Sequence, residues 1–314
     1  QPDWLWFKSR NDTQVHQLFD TNRGIANSLR SNATTVENTD DPNDRLTAIN
    51  SDGFTLGDDG NPNTNSNTYV CWQWKANGGT TASNSDGDIT STVQANTTAG
   101  FSIVTYTGNG NDGDTVGHGL SGNWDLCILK NRGQTDYWTF STTGTNQVLL
   151  LHDNVNQANH STAYMTKASG VIGLVNAGDL GMVNNSSENY VAYVFKEVQG
   201  YSKFGSYTGN GNADGAFVYT GFKPAWVMAK RTDSGSSNWM MFDSKRDTFN
   251  VMDSYVVAHA DQAEADFNFV DFLSNGFKWR HTSGHANASG GTYVYMAFAE
   301  RPFVTSKGVP TTAR

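Results

Sequence analysis

The sequence predicts an all-β protein built of tandem β-sandwich repeats, jelly-roll or lectin-like, with little helix. Three observations support this fold class. The apolar runs are short and rich in strand-forming residues, the polar residues are those that favour turns, and one unit of sequence returns twice along the chain.

The apolar runs have the length and composition of β-strands. They are about five to eight residues long, rich in Val, Ile, Tyr, Phe and Trp, and bounded by Gly, Asn and Asp. The run Tyr293–Phe298 is apolar throughout and predicts a strand covered on both faces, whereas Trp138–Ser141 alternates and predicts a half-exposed strand. Only the alanine-rich stretch Val256–Phe267 has a composition that favours a short helix. The pattern does not separate a jelly roll from an immunoglobulin-like topology.

The polar composition favours turns and excludes two classes of partner. Of the 314 residues only 16% are charged, against roughly a quarter in an average soluble protein, and 32 are glycine. The formal net charge is −9 without any run of Lys or Arg, so a nucleic-acid partner held by its phosphates is not expected. No apolar stretch approaches the roughly 18–20 residues of a membrane-spanning helix, so no membrane partner is expected either.

An internal repeat is visible in two independent landmarks. The segment Gly100–Gly110 returns as Gly200–Gly211, and both end in Tyr-Thr-Gly-Asn-Gly. An apolar strand that closes on a lysine occurs three times, and its lysines, Lys8, Lys130 and Lys230, are 122 and 100 residues apart. Repeats of this kind indicate one structural unit used several times.

The second landmark is a strand that begins with tyrosine. It starts at Tyr69, Tyr190 and Tyr293, which are 121 and 103 residues apart. Together the landmarks predict three β-sandwich units over residues 1–99, 100–199 and 200–314. The first unit lacks its opening strand, so we expect the natural polypeptide to continue upstream of Gln1.

No constellation of residues predicts catalysis, a cofactor or a metal site. Cys71 and Cys127 each lie in an apolar run, which favours buried free thiols. His281 and His285 are four residues apart, but Thr-Ser-Gly between them indicates a turn rather than a helix. The Asn- and Asp-rich stretch 108–114 could offer oxygens to calcium, although a hairpin turn is the simpler interpretation. The sequence therefore predicts a protein that is not an enzyme.

A candidate ligand site comes from aromatic residues that the strands do not account for. Flat rings beside carboxylate and guanidinium groups suit the faces and hydroxyls of sugars. The alternative interpretation is that these residues belong to the sandwich core. The candidates are the aromatic residues Trp239, Tyr255 and Trp279 and the polar residues Asp243, Arg246, Arg280 and His281.

The chain resembles a repeat domain of uncharacterised function found in tail-fibre-like and other structural proteins of marine bacteriophages. The resemblance covers essentially all 314 residues and rests on long motifs. These motifs are Phe101–Gly110, Gly200–Gly211, Arg246–Asp253, Asp271–Phe277 and Gly291–Glu300.

This resemblance implies a virion structural protein, assembled in the bacterial cytoplasm and displayed on the virion surface. The first expectation is a tail-fibre or spike component that binds a host-surface glycan, as a homotrimer in which weak sites act together. It would attach to other virion proteins through its N-terminal part, present residues 200–314 to the host, and end naturally at Arg314. The second expectation is a head fibre or capsid decoration protein with a purely architectural role. A polysaccharide depolymerase is the third.

Overall fold

The fold is all-β and of the sandwich type. The computed structural model describes residues 1–39, 45–58, 60–159, 164–175 and 180–300. The expected natural C-terminus at Arg314 lies outside these residues. None of the helical segments in the described residues is long and apolar enough to cross a membrane.

The strands are short and follow one another closely along the chain. The first part of the chain contains β1 (Trp4–Ser9), β2 (Gln17–Asp20), β3 (Asn27–Ser28), β4 (Asn38–Thr39), β5 (Leu46–Asn50), β6 (Gly53–Leu56), the helical turn α1 (Gly60–Asn63) and β7 (Tyr69–Trp74). The middle part contains β8 (Ala82–Asn84), β9 (Ser91–Asn96), β10 (Phe101–Thr107), β11 (Thr115–Gly117), β12 (Leu126–Asn131), β13 (Trp138–Ser141), β14 (Gln147–Leu150), β15 (Ala158–Asn159), β16 (Met165–Ala168), β17 (Val171–Leu174), a 3-10 turn (Leu180–Met182) and β18 (Asn189–Phe195). The last part contains β19 (Ser202–Thr208), β20 (Phe217–Tyr219), β21 (Pro224–Arg231), β22 (Met240–Asp243), β23 (Met252–Val257), β24 (Ala265–Leu273), β25 (Gly276–Trp279) and β26 (Thr292–Ala299).

The chain divides into two compact units. Unit 1 comprises Gln1–His152 and Ala158–Lys196, and unit 2 comprises Asp153–Gln157 and the chain from Glu197 onward. The first two predicted sandwich units therefore lie in one compact body, and the division into three units stays a prediction.

Unit 1 is built around an eight-stranded antiparallel sheet in the order β15-β14-β13-β12-β18-β10-β9-β8. One face of this sheet packs on the three-stranded sheet β11-β17-β16, where Val116 and Ile172 meet Ala192 in a shared apolar core. The other face packs on the sheet β2-β1-β7, where the ring of Trp4 stacks on that of Tyr193 with centroids 4.3 Å apart. β18 is apolar and buried from Tyr190 to Phe195, as expected of a strand with both faces covered.

Unit 2 is one antiparallel sheet of eight strands in the order β19-β26-β21-β22-β23-β24-β25-β20. Its strands enclose a single apolar core, in which Val227 and Ala297 from one side meet Phe277 and Trp279 from the other. Tyr207 on the end strand β19 lies 5.9 Å from Trp279 on β25, ring centroid to ring centroid. The sheet therefore folds over its own core.

Three expectations about local structure can be compared with the fold. The predicted two-face burial of Tyr293–Phe298 is confirmed, since all six residues are buried. The half-exposed strand predicted at Trp138–Ser141 is wrong: all four residues are buried, and the indole Nε1 of Trp138 donates to the carbonyl of Arg30. The helix favoured in Val256–Phe267 is also absent. Val257 ends β23 and Ala265 begins β24. The pairing of β23 with β22 and with β24 outweighs the helical preference of alanine.

Candidate functional site

Two of the aromatic residues proposed for sugar binding lie in the core of unit 2. Trp239 is 1% exposed and its Nε1 donates to the carbonyl of Asp153, and Trp279 is fully buried against Phe242 and Phe277. The partly buried ring of Tyr255 packs on Phe269. Neither indole can stack on a ligand without leaving the core, because both faces already contact protein. This corrects the placement of Trp239 and Trp279 in the candidate site.

Asp243 and Arg246 form a buried ion pair that holds a turn. The Arg246 side chain donates to Asp243 at 2.6 Å, to Glu264 at 2.7 Å and to the carbonyl of Met241, while its backbone N–H donates to Asp243. Both side chains are almost fully buried. Every bond of the guanidinium is therefore directed into the protein.

The same arrangement occurs a second time in unit 1. Arg23 donates to Asp20, to Glu37 and to the carbonyl of Leu18, and its backbone N–H donates to Asp20. The same four contacts hold the turn after β2 and the turn after β22. The Asp243–Arg246 pair therefore stabilises a turn of the fold. Asp and Arg are residue types that suit a sugar site, but the burial of Asp243 and Arg246 indicates that they stabilise the fold.

Arg280 is exposed and His281 is half-buried. They follow β25, which pairs with β20 on one side and with β24 on the other. In-register antiparallel partners project to the same side of a sheet, so Phe217, Lys278 and Asp271 lie side by side. Val218, Phe277 and Phe272 alternate with them and are buried, which fixes this row on the outer face.

Paired charged side chains and one exposed ring lie on this face. Lys278 pairs with Asp214 at 2.6 Å, and Arg280 lies 3.7 Å from Asp214 and 3.4 Å from Asp271. The ring of Phe217 is 45% exposed. We call these five residues, Phe217, Asp214, Asp271, Lys278 and Arg280, the Phe217 surface.

The backbone of β25 allows the ring to lie close to the sheet. A Cβ at Gly276 would stand 3.0 Å from two ring carbons of Phe217, so only glycine leaves this space free. The hydrogen bond and the charge of Lys278 lower the pKa of Asp214, which keeps this carboxylate ionised. The Phe217 surface thus combines one apolar ring with an ionised carboxylate, an ammonium and a guanidinium.

His281 lies in the neighbouring region, beside the exposed ring of Phe267. Its Nδ1 accepts from the backbone N–H of Ser283 at 2.8 Å, and its ring contacts the exposed ring of Phe267 edge-on at 4.6 Å. The Nδ1 of His285 accepts from the backbone N–H of Asn238 at 3.2 Å. Among the described residues there is no group of three His, Cys, Asp or Glu side chains suited to a metal ion.

The Asn-rich turns use their oxygens within the protein. Asn184 is fully buried, and its side chain accepts from the backbone N–H of Asn109 and donates to Asn109 Oδ1 and to the carbonyl of Asn111. Asn287 makes the corresponding three bonds to Asn210 and Asn212. These oxygens are therefore engaged as hairpin acceptors.

In the part of the chain that the structure describes, Asp247 is the carboxyl group with a clearly raised pKa. Burial raises the pKa of Asp247, and a hydrogen bond with Asp253 adds to the effect. Asp247 also accepts from the backbone N–H groups of Asp253 and Ser254 and from the Ser254 hydroxyl. Carboxyl groups that cleave glycosidic bonds stand about 5–9.5 Å apart so that a sugar fits between them. Two carboxyls in direct hydrogen bond leave no such gap.

A cleft of about 390 Å³ is the second surface feature of unit 2. It lies between the two end strands of the sheet, β19 and β20. Glu197 and Lys203, which form an ion pair at 2.5 Å, stand at its side. The complete lining is Glu197, Gln199, Gly200, Ser202, Lys203, Tyr219, Thr220 and Gly221.

The sequence patterns missed most of the Phe217 surface. Phe217 lies in an apolar run, Ala216–Tyr219, which is typical of core. Phe217, Val218 and Tyr219 are all apolar, so the sequence shows no alternation, and only the two-residue period of a strand indicated that some of them face outward. Asp214, Asp271 and Lys278 carried no signal, because they converge only through strand pairing.

Comparisons with known proteins identify a family without a known activity. A family model described as a domain of unknown function (DUF7483) matches residues 1–302. No curated protein and no solved structure matches the chain.

Proposed function

The chain belongs to the family described as domain of unknown function (DUF7483), and from this premise we propose that it is a bacteriophage virion structural protein, a tail-fibre or spike component that attaches to a host-surface glycan. The phage origin rests on the motifs quoted above, such as Arg246–Asp253 and Asp271–Phe277, and on the resemblance that they carry. The attachment role rests on the Phe217 surface.

The observation that supports glycan binding is an exposed ring fixed on a paired strand among charged groups. Protein sites for sugars use an aromatic face for the apolar side of the sugar ring and hydrogen-bonding groups for its hydroxyls. Phe217 supplies the face, and Asp214, Lys278 and Arg280 supply donors and acceptors. Because β20, β24 and β25 form one antiparallel ladder, the backbone of Phe217, Asp271 and Lys278 is held in place before a ligand arrives.

A site of this size binds weakly by itself. One ring and a few charged groups on an open face suit a low-affinity contact, and a homotrimer would multiply it through effective concentration. We propose trimers that attach to other virion proteins through the N-terminal part and display unit 2 to the host.

Glycan binding by the full chain tests this proposal. The chain is immobilised as an oligomer and presented to an array of bacterial surface polysaccharides, and Phe217→Ala and Arg280→Ala are compared with the unaltered protein. We expect both variants to lose at least tenfold in apparent affinity. Tyr137→Ala is the matched control, because Tyr137 is an equally exposed aromatic residue of unit 1. Retained binding by Phe217→Ala and Arg280→Ala would contradict the proposed site.

The architectural alternative is favoured by the recurrence of buried polar contacts. Lys8, Lys130 and Lys230 are all buried, and the Nζ of each donates to the carbonyl of the following residue. Buried hydrogen bonds that recur along the chain suit a stiff spacer such as a head fibre or capsid decoration protein. Cryo-electron microscopy of the particle separates the two roles: threefold density at a tail appendage favours attachment, and density across the capsid lattice favours decoration.

A further inference from the structure

A second exposed aromatic residue, Tyr219, lies on the same face of β20 as Phe217. Tyr219 pairs with Gly276 across the ladder, and Phe217 pairs with Lys278. Val218 between them is buried, so both rings are on the outer face, where they are 62% and 45% exposed. Residues two apart in a strand have Cα atoms about 6.6 Å apart. The two rings therefore form a row along the strand.

A glycine on the neighbouring strand leaves room for both rings. The partner of Tyr219 is Gly276, so no side chain stands opposite this tyrosine. The ring of Phe217 lies over the same glycine, since a Cβ there would stand 3.0 Å from two of its ring carbons. On β24 the partner of Gly276 is the half-buried Leu273. This end of the face is apolar, and the charged groups of the Phe217 surface lie at the other end.

The charged groups of the Phe217 surface balance one another. Lys278 lies 2.6 Å from Asp214, and Arg280 lies 3.4 Å from Asp271. Two cations thus face two carboxylates, and the surface carries no excess charge of either sign. The contacts of Arg280 with Asp271 and, at 3.7 Å, with Asp214 are longer than ordinary hydrogen bonds. Its N–H groups can therefore turn toward a ligand.

The face continues past Tyr219 with the same character. Tyr219 also lines the cleft between β19 and β20, together with the exposed Gln199. The cleft lining contains one cation and one carboxylate, Lys203 and Glu197, which form an ion pair at 2.5 Å. A chain-like ligand that leaves the row of rings on this side thus meets a second surface without excess charge.

We propose, on the premise that the Phe217 surface binds a glycan, that its ligand is an uncharged polysaccharide whose consecutive sugars stack on Phe217 and Tyr219. The apolar faces of the sugar rings pack on the aromatic rings. The hydroxyls accept charge-assisted hydrogen bonds from Lys278 and Arg280. The two stacked positions lie side by side on one strand, so they suit neighbouring sugars of one chain.

The balance of charge disfavours ionic sugars of both signs. An acidic sugar would place a further negative charge beside Asp214 and Asp271, and an amino sugar would place a further positive charge beside Lys278 and Arg280. Like charges placed together oppose binding. An uncharged sugar leaves both ion pairs intact.

Carboxyl reduction tests the class of glycan. The array of bacterial surface polysaccharides is printed in two forms, native and with carboxyl groups reduced to alcohols, and binding of the full chain is measured on both. We expect the bound polysaccharides to be uncharged, and reduction of acidic ones to preserve or create binding. Raising NaCl from about 50 mM to about 500 mM should change the apparent affinity less than about twofold, because an uncharged sugar has no ion pair for salt to screen.

The array separates failure of this inference from failure of the proposed function. Binding that requires carboxylate, phosphate, sulfate or ammonium groups on the polysaccharide, and that falls with salt, would overturn the uncharged class and leave glycan attachment standing. If the unaltered chain binds no polysaccharide in either form, the proposed function itself fails, and this inference fails with it.

Variants of Tyr219 test the second stacking position. Tyr219→Ala should lower the apparent affinity for a bound polysaccharide about tenfold, whereas Tyr219→Phe should keep it, because the ring supplies the stacking face. Tyr137→Ala is again the matched control, and urea unfolding verifies that each variant is folded. Unchanged binding by Tyr219→Ala, together with loss of binding by Phe217→Ala, would overturn stacking on Tyr219 and leave the site at Phe217 in place.

Discussion

Lys130 and Lys230 occupy the same position in two strands of the protein. Each is completely buried, and the Nζ of each donates to the carbonyl of the next residue, at 2.5 Å to Asn131 and at 2.8 Å to Arg231. Burial lowers the pKa of both ammonium groups to about 8. Each buried ammonium thus donates to backbone carbonyls, nearby carboxylates offset part of the cost of its burial, and that cost depends on pH.

The first prediction concerns the stability of Lys130→Met at alkaline pH. The folded pKa of about 8 lies below the ordinary value of 10.5, so the unfolded chain holds this proton more tightly between these values. Stability from this lysine therefore rises as pH increases from 8 to 10. We expect the free energy of unfolding of the unaltered protein to gain on the order of 2 kcal/mol relative to Lys130→Met between pH 7 and pH 10.

Urea unfolding at pH 7, 8.5 and 10 checks this difference, and Lys75→Met is the control because Lys75 is exposed. The titration of buried tyrosines and cysteines changes the free energy of unfolding of both proteins equally. The difference between the two proteins therefore reports the titration of Lys130. A difference that stays constant with pH would show that the pKa of Lys130 is the same in the folded and unfolded states, and would contradict the prediction.

The second prediction concerns His118 at acid pH. Burial lowers the pKa of this imidazole to about 4, from an ordinary 6.5, and its Nδ1 accepts from the backbone N–H of Leu120. The unfolded chain binds the proton first as pH falls, so stability is lost between pH 6.5 and pH 4. We expect the unaltered protein to lose about 1–2 kcal/mol more than His118→Asn between pH 7 and pH 5. The asparagine Oδ1 can keep the acceptor role. Urea unfolding of both proteins at the two pH values measures this, and parallel losses would contradict it.

The third prediction separates a structural from a binding role for Arg246. Arg246→Met leaves Asp243 and Glu264 buried without their partner, so we expect a loss of about 3 kcal/mol in the free energy of unfolding. Arg280→Met should cost less than about 0.5 kcal/mol, since the Arg280 side chain is 41% exposed. Chemical denaturation of the two variants gives both values. Equal stabilities would contradict the structural role of the Arg246 ion pairs.

The strand content and the recurring positions could be predicted because they follow from local patterns. Lys8, Lys130 and Lys230 each end an apolar run, and this pattern is visible in the sequence alone. Their burial was not predictable, because it depends on carbonyls brought near by the fold. Cys127 is buried and Cys71 is half-buried, and both are free thiols, as expected of cysteines in apolar strands.

The candidate site was harder to predict because side-chain type does not report burial. Asp243 and Arg246 have the same chemistry as Asp271 and Arg280, yet the first pair closes a turn inside the protein and the second lies on a face. Strand register decides between them, and register depends on pairing over long stretches of chain. Trp279 was misplaced for the same reason, since one residue along the strand separates the core from the surface.

The last prediction concerns the buried asparagine that holds the Gly-Asn-Gly turn. Asn287 is fully buried, and its amide bonds Asn210, Asn212 and the carbonyl of His281. Asn287→Ala removes these bonds from partly buried partners, so we expect a loss of about 1–3 kcal/mol in the free energy of unfolding. Asn287→Asp keeps the acceptor but loses the donors, and should be at least as destabilised. Asn212→Ala is the control, because Asn212 is exposed and bonds Asn287 through its backbone carbonyl. If Asn287→Ala unfolds at the same urea concentration as Asn212→Ala, the amide does not hold the turn, and the matching role of Asn184 in unit 1 is withdrawn with it.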